Sequence, residues 1–382
     1  MPAHSALGQS NKRLSLGEKL RQITWGLALT ILAVSSIGFV MLYSAAGGDW
    51  DPWASRQISR FAMGFAIMIA VATVDIRFWM KAAYPFYALS VVLLVAVDLM
   101  GEVGMGAQRW LDLGFVQIQP AELAKISIVL VIARYFHGIN HEQIGNPLYL
   151  VWPILLTLVP AFLIFKQPKL GTTLVVLTTT AIVFFMAGVR MWKFILVAAS
   201  AAGAVPIAWS LLRDYQRQRV LTFLNPESDP LGAGYHIIQS KIALGSGGIW
   251  GKGLGGGTQS HLQFLPEKQT DFIFTMLSEE FGFVGGLVLI GLYTIIVLYG
   301  LAIALRARSQ FGRLVAVGLL SGIYLNALIN MAMVMGLVPV VGEPLPLVSY
   351  GGTSMLTLLF GFGILIGVYV HRDVVVPRRG DT

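Results

Sequence analysis

Apolar runs long enough to cross a bilayer recur along most of the chain, separated by short polar or basic connectors. About 20 predominantly apolar residues make one helical crossing. The runs predict spans at Ile23–Ala45, Phe61–Val74, Ala83–Met100, Ala121–Phe136, Tyr149–Phe165, Thr172–Met186, Phe194–Leu212, Phe272–Leu305, Leu314–Val338 and Ser349–Tyr369, ten in all. The second and sixth are short as bounded, so their ends extend through Arg60 and Gly188. One long polar stretch, Arg213–Thr270, interrupts the series between the seventh and eighth spans. Its Asn225-Pro226 and Asp229-Pro230 pairs are turn signals, and GSGGIWGKGLGGGTQS is dense in glycine. Between these parts, Ile237–Leu244 reads as a short amphipathic or re-entrant helix, and Trp250 and Phe264 suit an interfacial anchor. The pattern predicts an all-α, polytopic membrane protein: an N-terminal segment 1–22, a membrane domain 23–370 and a tail 371–382.

Composition strengthens that picture. Of 382 residues, 56% are hydrophobic and only 12% charged, against roughly 25% charged in a soluble domain. No second composition class marks a separate globular half. The N-terminal 22 residues are polar and basic like the start of a signal peptide, but the run after them is too long for a signal core and has no convincing cleavage site, so a retained first span is expected. The net charge of +8 reads as loops facing anionic lipid rather than as a nucleic-acid surface. With the N-terminus cytoplasmic, that side holds fifteen Lys and Arg against six in the short segments opposite. Both termini are therefore expected inside, with residues 213–270 and the acid at 271 on the extracytoplasmic side, where ATP is not available.

Several chemistries are excluded. Cysteine is absent, which removes disulfides, thiolate catalysis and cysteine metal sites. The six histidines are scattered with no metal-ligand spacing, and there is no GxSxG elbow. GGIWGK at 247–252 mimics a phosphate loop, but no hydroxyl residue follows Lys252 and no strand precedes it, so nucleotide binding is rejected. No inverted repeat of the transporter kind is evident.

What remains is acids beside spans, where an ionisable group is by default a functional candidate. Glu122 and Lys125 lie three apart on one helix and read either as a structural ion pair or as a cavity lining shared with Arg109. The glycine-dense segment reads either as a plain flexible loop or as backbone donors with Lys252 near a phosphate-bearing head group. Glu267, Asp271, Glu279 and Glu280 mark the junction of the long loop with the eighth run. If a helix starts near Thr270, then Asp271, Thr275 and Ser278 share a polar stripe, with Phe272, Phe274 and Phe281 around it. Asp271 is then either a helix N-cap or a partly desolvated base.

Long motifs also occur in order: GAQRWLDLG and QPAELAK within 106–125, QPKLGTT at 167–173, RVLTFLNPESDPLGAGYHIIQSKIALGSGGIWGKGLGGGTQ at 219–259, FLPEKQTDFIFTMLSEEFG at 264–282 and PLPLVSYGGTS at 344–354. Over essentially its whole length the chain resembles the SEDS family of bacterial cell-wall polymerases, and the elongation branch, RodA, more than the division branch, FtsW. The resemblance implies a ten-span peptidoglycan glycosyltransferase that polymerises lipid II onto a growing glycan strand at the outer face of the cytoplasmic (inner) membrane. The family's essential aspartate falls on Asp271, and a carboxylate there suits deprotonation of the acceptor sugar hydroxyl. Polyprenyl pyrophosphate is the implied leaving group; Arg109, Lys125, Lys252 and Lys268, with Glu122 beside Lys125, are the candidate substrate-binding residues. A divalent cation, Mg2+ or Mn2+, would fit at Asp271, and no nucleotide is needed. The implied partners are a class B penicillin-binding transpeptidase and other elongation-complex membrane proteins. A lipid II flippase and a non-catalytic scaffold are the rival roles. Three positions depart from the family pattern: Lys169 stands where aspartate is usual, Gln269 where histidine often precedes the Thr-Asp pair, and Glu343 where an aliphatic residue normally leads PLPL.

Overall fold

A computed structural model describes residues 15–100, 102–104, 107–112, 117–167, 169–211, 217, 221–228, 234–261, 267–374 and 376. The described chain is mostly helical. A short amphipathic helix, α1 (Leu16–Gln22), starts at a capping box in which Ser15 and Glu18 satisfy each other's backbone donors. The long helices follow: α2 (Trp25–Ala45), α3 (Ala54–Ala72), α4 (Ile76–Met100) and, after a small sheet, α5 (Pro120–His137). Beyond the short α6 (His141–Ile144) come α7 (Leu148–Lys166), α8 (Leu170–Ala187) and α9 (Met191–Leu211). Two short helices, α10 (Tyr235–Ser246) and α11 (Thr258–His261), precede α12 (Ile273–Arg306), α13 (Gln310–Val334) and α14 (Gly352–Val370).

Seven of these helices, α2, α4, α7, α8, α12, α13 and α14, are long and apolar enough to cross a membrane. A helix can do so because it satisfies its own backbone polar groups. Charged residues near the start of α3 (Arg56, Arg60) and α5 (Glu122, Lys125) dilute the apolar character of those two, and α9 is apolar over Met191–Pro206. Observed ends differ from the hydropathy reading where a helix begins in polar sequence. Thus α3 starts at Ala54 and α4 at Ile76, while α13 stops at Val334.

An all-α fold is not the whole picture. Three short antiparallel strands, β1 (Glu102–Gly104), β2 (Ala107–Asp112) and β3 (Gln117–Ile118), fold the connector between α4 and α5 into a sheet in the order β1-β2-β3. A hydropathy window tuned to 20-residue spans cannot register strands this short.

The helices sort by burial. α13 is the hub: it packs against α5, α8, α12 and α14, and Phe311, Leu314, Val315, Ala327 and Met333 are almost wholly enclosed. α7 instead turns Leu148, Val151, Trp152, Leu155 and Phe162 outward, as expected of a helix whose outer face meets lipid. The charged candidates described below cluster on the buried helices and the loops that cap them.

Candidate active site

The eighth apolar run is one helix by length but two by geometry. Gly282 sits at φ 65, ψ −162 inside α12, breaking it between a buried first part, Ile273–Glu280, and the longer apolar part beyond. Such a break frees helix carbonyls that need donors. The glycine-dense loop supplies them. Lys252 and Gly253 donate backbone N–H bonds to the Glu279 and Glu280 carbonyls at 3.1 and 2.9 Å. In return Phe283 and Val284 donate to the Gly248 and Ile249 carbonyls at 2.9 and 3.1 Å. Glycine is required on both sides of this contact: a Cβ on Gly251 would stand 2.1 Å from the Glu280 carbonyl oxygen, and one on Gly282 would stand 2.3 Å from the Gly251 nitrogen. The segment is thus a splint for the helix break, and two of the donors suggested for a phosphate are spent on it.

Lys252 belongs to the same splint. Its ammonium lies 2.7 Å from Glu279 Oε1 and 3.0 Å from Thr258 Oγ1. Glu279 is fully buried, and the same oxygen also accepts from Thr258 Oγ1 and the Gln259 N–H. Glu280 accepts a 2.6 Å bond from Ser44 Oγ on α2. Both acids serve packing, Glu280 toward a neighbouring span and Glu279 toward the loop.

Asp271 is placed differently. It lies in a turn, 267–272, ahead of α12, and the N-cap position belongs to Phe272, which makes no side-chain cap bond. Asp271 thus precedes the N-cap position. Glu267 folds the turn from φ 54: its carbonyl accepts from the Thr270 N–H at 3.0 Å, and its carboxylate accepts from Thr270 Oγ1 and Gln269 Nε2 at 3.0 and 3.3 Å. Gln269, at the histidine position of the family pattern, is thereby bound into the turn. Thr275 is buried against Ser240 Oγ at 2.7 Å, while Phe281 is partly exposed and adds no wall around Asp271. Phe272 and Phe274 are buried as expected. Lys268 is half-buried, and burial pulls its ammonium below the usual lysine value, with Glu280 opposing the shift.

The loop 335–351 braces that turn from the other side. Ser349 Oγ donates to the Thr270 carbonyl at 2.6 Å, and the Tyr350 N–H donates to the Gln269 carbonyl at 2.9 Å. Gln57 of α3 holds the loop in turn, donating to the Ser349 carbonyl at 3.0 Å. Gly342, at φ 68, lets the backbone pass the aspartate: a Cβ there would meet Asp271 Oδ2 at 3.5 Å. Asn330 of α13 joins the two segments outright, its Nδ2 donating to the Asp271 carbonyl at 3.0 Å and to the Glu343 carbonyl at 2.7 Å.

Glu343 leads from Asp271 to the second candidate pair. Its carboxylate is buried and accepts from Thr172 Oγ1 on α8. Burial pushes it above the ordinary carboxylate range, and Lys125 and Lys169 pull it back. Lys125 itself bonds Glu122 at 2.8 Å, on one face of α5. The pair lines a cavity of about 60 Å³ between α5, α8, α13 and α14, whose walls include Val129, Thr179, Asn326, Pro344 and Thr357. Thr179 Oγ1, Thr180 Oγ1 and Asn326 Oδ1 are buried there with no hydrogen-bond partner among the described residues. Asp271 does not line the cavity; Pro344, which does, follows Glu343, whose carbonyl shares the Asn330 amide with the Asp271 carbonyl.

Of the candidates, the fold brings Glu122 and Lys125 to one cavity, and commits Lys252 to Glu279. Arg109 is on β2, and its side chain lies outside the described residues. The sequence reading missed Asn330, Thr172 and the function of Glu343; the one available signal for Asn330 was a lone amide in an apolar span. Among the described residues no group of three or more His, Asp or Glu could hold a metal ion.

Comparison with known proteins follows this geometry. The profile of the FtsW/RodA/SpoVE family, described as cell cycle protein, matches residues 24–374. The chain is 46% identical over 352 residues to peptidoglycan glycosyltransferase MrdB of Escherichia coli K12, covering 91% of this chain and 94% of that one. Its fold is similar to a chain of a solved peptidoglycan synthase complex that coordinates polymerization and crosslinking, with TM-score 0.80, 34% identity, and 92% and 98% of the two chains covered. It is also similar to the crystal structure of the rod shape determining protein RodA of Thermus thermophilus, with TM-score 0.69, 29% identity, and 92% and 97% covered.

Proposed function

The chain belongs to the FtsW/RodA/SpoVE family, and we propose that, as a peptidoglycan glycosyltransferase, it uses the Asp271 carboxylate as the general base of glycan polymerisation. Lipid II and the growing strand are the substrates, one offering the acceptor hydroxyl and the other the pyrophosphate-linked donor sugar. Asp271 takes the proton of an acceptor sugar hydroxyl; that oxygen bonds the donor's anomeric carbon as the bond from that carbon to the pyrophosphate oxygen breaks. The electron pair leaves with the polyprenyl pyrophosphate. Lys125 and Arg109 are the cations assigned to that leaving charge, as preorganised donors at a developing oxyanion should be. Energy comes from the pyrophosphate bond, so no nucleotide enters.

A single observation carries this reading: Asp271 stands in the turn ahead of a broken helix and is tied through Asn330 to the loop that completes the Glu122–Lys125 cavity. A divalent ion would be held there by Asp271 alone among the acids of the turn. With one carboxylate from Asp271, the remaining ligands would come from pyrophosphate and water, the pattern Mg2+ favours; it would neutralise leaving-group charge.

The ten long helices read as ten crossings of the cytoplasmic (inner) membrane, with both termini cytoplasmic and Asp271 on the outer face, as the charge count supports. The likeness to a synthase complex that couples polymerization and crosslinking supports a class B penicillin-binding transpeptidase as partner, with other elongation-complex membrane proteins.

The test is polymerisation of labelled lipid II by purified protein, with the transpeptidase present. Asp271→Asn is expected to lower the rate about 10²–10⁴-fold, the usual range for losing a general base. Unchanged polymer would overturn the base, and transfer of lipid II across liposomes without glycan would favour the flippase.

A further inference from the structure

One cation on the helices that brace the Asp271 turn has no acid beside it. Arg60 lies three residues beyond Gln57 on α3, so the two share a helix face. Gln57 reaches the start of α14 by hydrogen bonds, donating to the Ser349 carbonyl at 3.0 Å and accepting from the Gly351 N–H at 3.3 Å. Arg60 reaches it by packing: its guanidinium carbon stands 5.1 Å from the centre of the Tyr350 ring, and a Cβ on Gly352 would meet that carbon at 3.0 Å and Nη1 at 3.3 Å. Among the described residues no ion pair includes Arg60, and its Nη1 is buried with no hydrogen-bond partner. The neighbouring helix end makes this unusual. α14 is 19 residues long and starts at Gly351 with no side-chain cap, so its first N–H groups carry a partial positive charge that favours an acid and opposes a cation. Here an arginine packs against it. In the same first turn Thr353 is only 9% exposed, and its Oγ1 also lacks a partner among the described residues.

We propose that Arg60, the Tyr350 ring and the first turn of α14 form a binding site for a phosphate-bearing lipid head group. A guanidinium, free backbone donors and an unmatched hydroxyl are satisfied together by an anion with several acceptor oxygens, and phosphate is the anion that arginine and helix N-termini both bind. Stacking on Tyr350 fixes the guanidinium plane, so little is lost in ordering it when the anion arrives. The site adjoins the cavity of the Glu122–Lys125 pair: Arg60 does not line that cavity, but Ser354, in the same turn of α14 as Thr353, does. It is also fixed relative to Asp271, because the Tyr350 N–H donates to the Gln269 carbonyl two residues before the aspartate. Two lipids carry this chemistry, a polyprenyl pyrophosphate and an anionic phospholipid. The first source rests on the polymerase reading; the second does not.

The experiment is thermal melting of full-length protein in phosphatidylcholine nanodiscs, with polyprenyl pyrophosphate or phosphatidylglycerol added. A ligand that binds the folded state raises the melting temperature. Wild type is expected to show that rise with at least one of the two lipids. Arg60→Gln is expected to lose most of it, its affinity about tenfold weaker for want of the charged donor, while Arg60→Lys keeps part. Without added lipid Arg60→Gln is expected to melt no lower than wild type, since it removes an unpaired charge. Thr353→Val carries the same comparison if the glutamine variant does not fold. Lipid II polymerisation with the transpeptidase then separates the sources. A substrate pyrophosphate predicts that Arg60→Gln raises KM about tenfold with kcat within about twofold; a phospholipid predicts a rise with phosphatidylglycerol alone and an unchanged KM. No rise in wild type with either lipid, or an undiminished rise in Arg60→Gln, overturns the site. Asp271→Asn, run alongside, should keep the rise and make no polymer; polymer from that variant overturns the base and leaves the lipid site standing.

Discussion

Two lysine–glutamate pairs, each with its glutamate buried, stand on this scaffold, and they differ in what surrounds them. At Lys252–Glu279 one carboxylate oxygen accepts from an ammonium, a hydroxyl and a backbone N–H, all within a loop stitched to a helix break. At Glu122–Lys125 the pair faces a cavity whose walls hold hydroxyls and an amide without partners among the described residues, and a second acid, Glu343, lies beyond it. The rule that an ionisable group at membrane depth marks function would select both. Satisfaction separates them: donors used up in holding a fold have nothing left for a substrate, whereas donors around an empty volume have.

The sharpest way to break that contrast is to remove each ammonium in turn. Lys125→Met is expected to cut lipid II polymerisation by about 10²-fold, the scale of losing one preorganised donor at a developing oxyanion. Lys252→Met is expected to leave kcat per folded molecule near wild type but to lower stability. Stripping one partner from a buried pair costs about 3–5 kcal/mol, and Lys252 is a quarter exposed, so the lower end applies. Melting curves and initial rates on the same samples decide. Equal loss of kcat in both variants would erase the distinction.

Gly282 tests the splint at smaller cost to the chemistry. Gly282→Ala places a Cβ against the Gly251 nitrogen in a backbone conformation that L-residues rarely adopt, and about 1–3 kcal/mol of destabilisation is expected from the strained backbone alone. Because Asp271 stands ahead of the first part of α12, that variant should lose activity by more than its loss of folded protein. Limited proteolysis of the glycine-dense loop would show whether the splint has opened.

These contrasts also show what was legible beforehand. That the chain is built of long apolar helices was, because an apolar run of about 20 residues has few alternatives. Asp271 was singled out by motif order, and the structure places it in the turn ahead of α12. The break at Gly282 was not: one glycine in FGFVGG is no signal without the partner loop. The glycine-dense loop was read as flexible or anion-binding because its true partners, the carbonyls of residues 279 and 280, lie 27 residues away from Lys252 and Gly253. Glu343 was visible as a departure from pattern, but a long-range contact to Thr172, 171 positions distant, gives it meaning. The small sheet at 102–118 escaped because its strands are shorter than any hydropathy window.

The smallest effect concerns pH and draws the contrast in stability rather than rate. Glu343 is held above the ordinary carboxylate value of about 4.5 by burial, more than Lys125 and Lys169 pull it down. In the window between that value and its raised value, the folded protein binds more protons than the unfolded chain, so unfolding free energy falls as pH rises. The contribution is fully present below the unfolded value and is gone once pH passes the folded one. Charging Glu343 thus costs stability. Melting temperature recorded from pH 4.5 upward should show this downward term in wild type, and Glu343→Val should remove it. Lys252→Met, which leaves Glu343 untouched, should keep it. A slope that survives the valine substitution would assign the titration to another group and leave Glu343 charged at no cost to the fold.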